Sequence, residues 1–151
     1  MPRLLLFAPC ERVIIGQGDN SVSLIVVIQE MKFQTFGQAQ DIKEDQAVSA
    51  RFTIFSQWYA SSGDEGKGYE QRIALGLAGE KAVIEATAEF QFSNNIKMMR
   101  IAAQVPLMPI LKPGEYSLTL CLREKGESEW SKAVADYPLM ITHAVTDPVQ
   151  V

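Results

Sequence analysis

The sequence predicts an all-β protein, a single antiparallel β-sandwich of Ig-like or C2-like layout with about seven to nine strands. The first observation is the segment 112–126, where a Pro-Gly turn precedes a strand of strict alternation and a second turn follows. The second is that segments of this kind recur about every 12 to 20 residues. The third is that no strongly amphipathic helix lies between them, which favours a sandwich over alternating strands and helices.

The first strands are predicted at 3–7 and 13–15, on either side of Pro9. Proline cannot donate a ladder hydrogen bond, so it indicates an edge or a bulge. The next segment, 22–31, is apolar at odd and even positions alike. Such a strand is expected to be covered on both faces, and the β-branched residues in its middle favour a strand over a helix.

A long polar loop is predicted at 34–47, followed by an alternating strand at 49–59. No repeat or linker divides the chain, so residues 1–151 are predicted to form one domain with a frayed tail at 146–151. The remaining strands are predicted around 73–77, 86–93, 98–105, 116–123 and 130–143.

Composition limits the class of protein. The chain has 151 residues, 47% of them hydrophobic, and a net charge of −4, which disfavours non-specific nucleic-acid binding. No apolar run approaches the roughly 20 residues needed to span a bilayer, so no membrane partner is expected. Cys10 and Cys121 are too few for a disulfide framework and are expected to be free thiols. Since the apolar run 4–8 is too short for a secretion signal, a cytoplasmic protein is expected.

Little in the sequence points to catalysis. His143 is the single histidine, and no phosphate-binding or hydrolase motif is present. We therefore expect a protein that is not an enzyme and has no cofactor. A C2-like ligand- or calcium-binding module stays open as the alternative, because carboxylates gather in two loops. These carboxylates are Asp41, Glu44 and Asp45 in one loop, and Asp64, Glu65 and Glu70 near the other.

Two aromatic residues of the strand 49–59 predict a contact surface. Phe52, Ile54 and Trp58 supply its inner face, whereas Phe55 and Tyr59 have the opposite parity. Something must cover them: the loop 34–47, a second copy of the chain, or a partner protein. We interpret the chain as a non-catalytic protein-interaction or structural module of unknown pathway. Its partner is another protein or a second copy of the chain, and Phe55 and Tyr59 are the predicted partner-binding residues.

Several segments resemble an uncharacterised family of small bacterial and phage β-sandwich proteins. The family has no assigned activity, so the resemblance implies the sandwich fold and a bacterial or phage source, and no site residues. The matching segments are Leu-Phe-Ala-Pro-Cys-Glu at 6–11 with Val-Ile-Ile at 13–15, the strand 49–58, Pro-Gly-Glu-Tyr at 113–116 and Tyr-Pro-Leu at 137–139.

Overall fold

The computed structural model describes residues 1–36 and 46–146. These residues form nine strands and no helix, which confirms the predicted all-β class and the predicted number of strands. The strands are β1 (Arg3–Ile15), β2 (Val22–Val27), β3 (Glu30–Phe36), β4 (Ala47–Tyr59), β5 (Gly68–Leu77), β6 (Ile84–Gln91), β7 (Met98–Pro109), β8 (Gly114–Glu124) and β9 (Ala135–Thr146).

Two sheets enclose the hydrophobic core. The first has the order β2-β1-β4-β7 and the second the order β3-β9-β8-β5-β6. Alternate residues of each inner strand point into the core, so Trp58 of β4 and Leu120 of β8 both lie in one buried cluster with Tyr69 of β5. The alternation predicted for the Pro-Gly strand is confirmed by β8, where every second residue from Tyr116 to Leu122 is buried.

One strand pair departs from the predicted antiparallel layout. The chain leaves the first sheet after Val27 and enters the second at Glu30, where β3 pairs with β9 in parallel. The purely antiparallel arrangement is therefore wrong for this pair, because β3 is reached by a crossing between sheets and not by a hairpin. The single strand predicted at 22–31 is wrong as well, since the segment is divided between two sheets.

The first strand is longer than predicted. β1 runs without a break through Pro9, which lies opposite Ile54, so the two strands predicted on either side of this proline are one. The Pro9 carbonyl accepts a hydrogen bond from Ile28 at 2.9 Å, just where the chain crosses to the second sheet. Pro9 therefore does not end the strand. It lies next to Cys10, where the pairing of β1 with β4 ends and its pairing with β2 begins.

The last strand is shorter than predicted, because it begins at Ala135 and not at residue 130. Trp130 lies in the preceding connection, and its ring is stacked against two guanidinium groups on the outer face of the second sheet. The Arg72 and Arg123 guanidinium carbons are 4.8 and 4.2 Å from the ring centroid.

Both cysteines are free. Cys10 pairs with Thr53 in the first sheet, and Cys121 pairs with Arg72 in the second. The loop predicted at 34–47 is shorter than predicted, because residues 34–36 belong to β3 and residue 47 begins β4. Residues 37–45 with their acidic side chains, and the tail beyond residue 146, lie outside the described residues.

Candidate functional site

Phe55 lies on an inner strand and points away from the core. Phe52, Ile54 and Trp58 of the same strand belong to the core cluster, whereas Phe55 does not, as the alternation predicts. Its side chain nevertheless has 0% exposed surface. In this conformation a partner would not touch Phe55 directly, and its assignment as a partner-binding residue stays a prediction.

The β1–β2 hairpin, residues 10–27, leaves the first sheet close to Phe55. β1 pairs with β4 as far as Cys10, which lies opposite Thr53, and beyond Cys10 it pairs only with β2. The part of β4 that precedes Thr53 in the chain pairs with β7 and no longer with β1. The hairpin is therefore a two-stranded ribbon that is no longer hydrogen-bonded to β4.

The tip of the hairpin returns to the sheet at Arg100. The Arg100 guanidinium donates hydrogen bonds to the backbone carbonyl and the side-chain oxygen of Asn20. Arg100 lies on β7 opposite Gln57 and faces outward. Since the base of the hairpin lies at the level of Thr53 and its tip at the level of Gln57, the hairpin passes over the outer face of the sheet near Phe55.

The turn of the hairpin is built from residues suited to it. Asn20 has φ of 60°, a conformation that asparagine tolerates better than most residues. The Asp19 carboxylate accepts a hydrogen bond from the Ser21 amide at 3.0 Å. The Gly16 amide closes the turn by donating to the Ser21 carbonyl at 2.8 Å. The tip is thus a defined structure that can meet Arg100 in one position.

Tyr59 keeps part of its surface exposed. The Arg3 guanidinium carbon lies 5.7 Å from its ring centroid, a cation–π contact between neighbouring strands. The ring also borders an open cavity of about 420 Å³ formed with residues 60–65 and 92–97. Of the two aromatic residues predicted to bind a partner, Tyr59 is the one that a partner could touch.

The hairpin exposes apolar side chains on both of its faces. Ile14 and Ile15 on β1 are each 47% exposed, and Val26 and Val27 on β2 are 56% and 43% exposed. Hairpins in globular proteins bury one apolar face and present polar residues on the other. Exposed apolar residues on neighbouring strands are typical of a surface that binds another molecule.

β2 is also the one edge strand of the described sheets that has no charged residue or proline to discourage the addition of another strand. Its residues, Val22–Val27, include neither a charged residue nor a proline. Natural edge strands commonly carry such residues, which discourage the addition of another strand. The other three edges have them: Glu30 and Lys32 in β3, Glu85 and Glu89 in β6, and Arg100, Pro106 and Pro109 in β7.

Val26 adds backbone strain to this edge. Its φ is 51°, a left-handed conformation that is strongly unfavourable for a β-branched residue. Strained residues of this kind cluster at functional sites. The regular part of the free edge is therefore Val22–Ile25.

A separate cavity of about 510 Å³ lies beside Tyr116 and His143. The Tyr116 hydroxyl donates to the Lys112 carbonyl at 3.1 Å, and Nε2 of His143 lies 2.6 Å from the Leu111 carbonyl. Burial raises the pKa of Tyr116, with a further contribution from the Glu80 carboxylate. Both polar groups are thus close to backbone carbonyls, whereas Nδ1 of His143, which lies within β9, is buried without a hydrogen-bond partner.

The predicted acidic residues of the second loop diverge. Asp64 is buried and accepts hydrogen bonds from Tyr69 and Ser61, while Glu70 faces outward and is paired with Arg123. In the described part of the chain, no three histidine, cysteine or carboxylate side chains come together as metal ligands. This loop thus gives the calcium-binding alternative no support.

Comparisons with known proteins provide no family. No family model and no curated protein matches the sequence. Among solved structures, the CooA pilin subunit from enterotoxigenic Escherichia coli is similar over 92% of this chain and 99% of that chain, at 12% sequence identity and a TM-score of 0.28. That TM-score is too low to transfer a fold or a function. The resemblance to small bacterial and phage proteins stays a prediction.

Within residues 1–36 and 46–146 there is no helix long and apolar enough to cross a bilayer.

Proposed function

We propose that this protein is a non-catalytic interaction module and that its contact surface is the β1–β2 hairpin. The observation that carries the proposal is the combination of exposed Ile14, Ile15, Val26 and Val27 with an unguarded edge strand. Either feature alone would be a liability, because each favours uncontrolled association. Their presence on one hairpin, whose tip is fixed by Arg100, is what a binding surface requires.

The scaffold of this module is, in our proposal, Ig-like and not C2-like. The order β9-β8-β5-β6 matches the G-F-C-C′ sheet of a variable-type domain, and β1-β4-β7 matches its A-B-E strands. Tyr116 near the start of β8 donates its hydroxyl hydrogen to the Lys112 carbonyl at 3.1 Å. A tyrosine bonded to the backbone a few residues earlier, at the start of strand F, is the tyrosine corner of such domains. In this scaffold the β1–β2 hairpin is an addition to the first sheet.

Site-specific photo-crosslinking tests the contact surface. A photoreactive amino acid is placed at Val27 in the hairpin or at Val83 outside it, two valines with 43% and 47% of their surface exposed. Cells that express each variant are irradiated, and adducts are resolved by mass. We expect defined adducts, either to the chain itself or to another protein, from position 27 and not from position 83. No adduct, or the same adducts from both positions, would contradict the proposal.

A further inference from the structure

We infer that the partner of the hairpin is a second copy of this chain, which pairs edge to edge with it along β2. The inference rests on the proposed function, because it names the partner of the same surface. Two copies would join their two-stranded β1–β2 hairpins into one four-stranded sheet across a two-fold axis. Each step from the hairpin to this arrangement follows from the backbone pairing and the residues of β2.

The hydrogen-bonding pattern shows which backbone groups of β2 are available. The Gly16 amide donates to the Ser21 carbonyl, so this pair is hydrogen-bonded. Hydrogen-bonded positions alternate along an antiparallel pair, so Ser23 bonds to β1, and Val22 and Leu24 direct their N–H and C=O groups to the free edge. A strand added to this edge would therefore be bonded through Val22 and Leu24.

The length of the regular edge limits the possible register. Val26 departs from strand geometry with its positive φ, so the regular edge ends at Ile25. An antiparallel pair centred on this segment places Val22 opposite Leu24 of the partner subunit. The two-fold axis then passes beside Ser23, at a position where facing side chains are closest because it is not hydrogen-bonded.

The side chains favour a copy of the same strand over a different partner. A strand that carries charges would place them against the uncharged residues Val22–Ile25 without a counter-charge. β2 of a second copy is itself uncharged, and it is the one edge strand in the described sheets without a charged residue. Antiparallel pairing about a two-fold axis brings apolar residues together and leaves Glu11 and Arg12 of β1 one strand away from the contact.

Ser23 allows a sharp test, because its side chain is exposed and its replacement removes no packing. Purified protein is studied by sedimentation equilibrium between about 10 and 500 μM, a range that includes weak dimers. We compare the parent, Ser23→Lys, Ser23→Asp and an equimolar mixture of the two variants. Val83→Lys, which places the same charge at an exposed site outside the hairpin, is the control.

We expect the parent and Val83→Lys to dimerise alike. Each Ser23 variant should dimerise at least about fivefold more weakly, since like charges face each other across the axis, and the mixture should regain the affinity of the parent. A monomeric parent, or single variants that dimerise like the parent, would overturn the inference. A monomeric parent that still gives position-specific adducts at Val27 with another protein would leave the proposed function intact. A monomeric parent that also gives no position-specific adduct at Val27 would refute the inference and the proposed function together.

Discussion

Arg100 of β7 holds Asn20, which lies 80 residues earlier in the chain, by a hydrogen bond from its guanidinium to the backbone carbonyl. This contact joins the tip of the β1–β2 hairpin to the outer face of the first sheet. Together with the hydrogen bond from the same guanidinium to the Asn20 side-chain oxygen, it fixes the tip of the hairpin. The same contact holds the exposed β2 edge, and with it the proposed contact surface, in one orientation relative to the first sheet.

Replacing Arg100 should release the hairpin without unfolding the sandwich. In Arg100→Gln the charge-assisted bond to Asn20 is lost, and we expect the free energy of unfolding to fall by about 1 kcal/mol. Amide hydrogens of residues 12–24 should exchange faster, measured by hydrogen–deuterium exchange, while those of β5 and β8 stay protected. Arg51→Gln, at an exposed arginine of β4, is the control. Unchanged exchange in residues 12–24 would show that Arg100 does not hold the hairpin.

Asp64 should be a stabilising buried carboxylate. Its Oδ1 accepts from the Tyr69 hydroxyl at 2.5 Å and lies 3.0 Å from the Met1 amino group, and its Oδ2 accepts from the Ser61 amide at 2.7 Å. Burial by itself opposes ionisation, but these hydrogen bonds outweigh it and hold the pKa of Asp64 below its ordinary value. Asp64→Asn should lower the free energy of unfolding at pH 7 by about 1 to 3 kcal/mol.

The sign of the pH dependence follows from the lowered pKa. A carboxyl group with a lower pKa in the folded state contributes stability above its unfolded pKa, about 3.9, and loses it as the pH falls through the folded value. The difference between parent and Asp64→Asn in urea unfolding should therefore shrink as the pH falls from 7 to about 3. Glu65→Gln, a change at the exposed neighbouring residue, should stay close to the parent at both pH values. A pH-independent difference would argue against an ionised Asp64.

Strands β5, β6 and β8 of the second sheet were predictable because their alternation in sequence corresponds to one buried and one more exposed face in the structure. In β8, alternation from Tyr116 to Leu122 corresponds to one buried and one partly exposed face. The turn at Pro113 and Gly114 marks its start, and Gly114 has φ of 154°, which glycine adopts easily. The outward parity of Phe55 was predictable for the same reason. Alternation reports the two faces of a strand wherever the strand stays in one sheet.

The position of the β1–β2 hairpin could not be predicted, because it depends on contacts distant in sequence. Nothing near residues 10–27 shows that this hairpin bends back onto β7, and Arg100 has no local feature that identifies Asn20 as its partner. The apolar run 22–31 was misleading since its residues belong to two sheets. Gln71 is a further example: it lies fully buried in the core, and its Oε1 accepts from Ser56 and Trp58, both at 2.8 Å.

The strain at Val26 predicts a stabilising substitution. Val26 has φ of 51° and is 56% exposed, so its side chain contributes little burial while its backbone conformation is unfavourable. Relief of left-handed strain is worth about 1 to 2 kcal/mol, and the added freedom of glycine in the unfolded chain costs about 0.5 to 1 kcal/mol. We therefore expect Val26→Gly to raise the free energy of unfolding by about 0.5 to 1 kcal/mol, measured by urea unfolding.

Val27→Gly provides the matched control and should change stability in the opposite direction. Val27 is the adjacent exposed valine, it pairs with Cys10 in the ladder, and its φ is not positive. Glycine there relieves no strain and loses strand propensity, so the free energy of unfolding should fall by about 1 kcal/mol. If both variants lose stability equally, then Val26 is not strained in solution, and the regular β2 edge extends beyond Ile25. The proposed two-fold axis would then no longer be limited to Ser23.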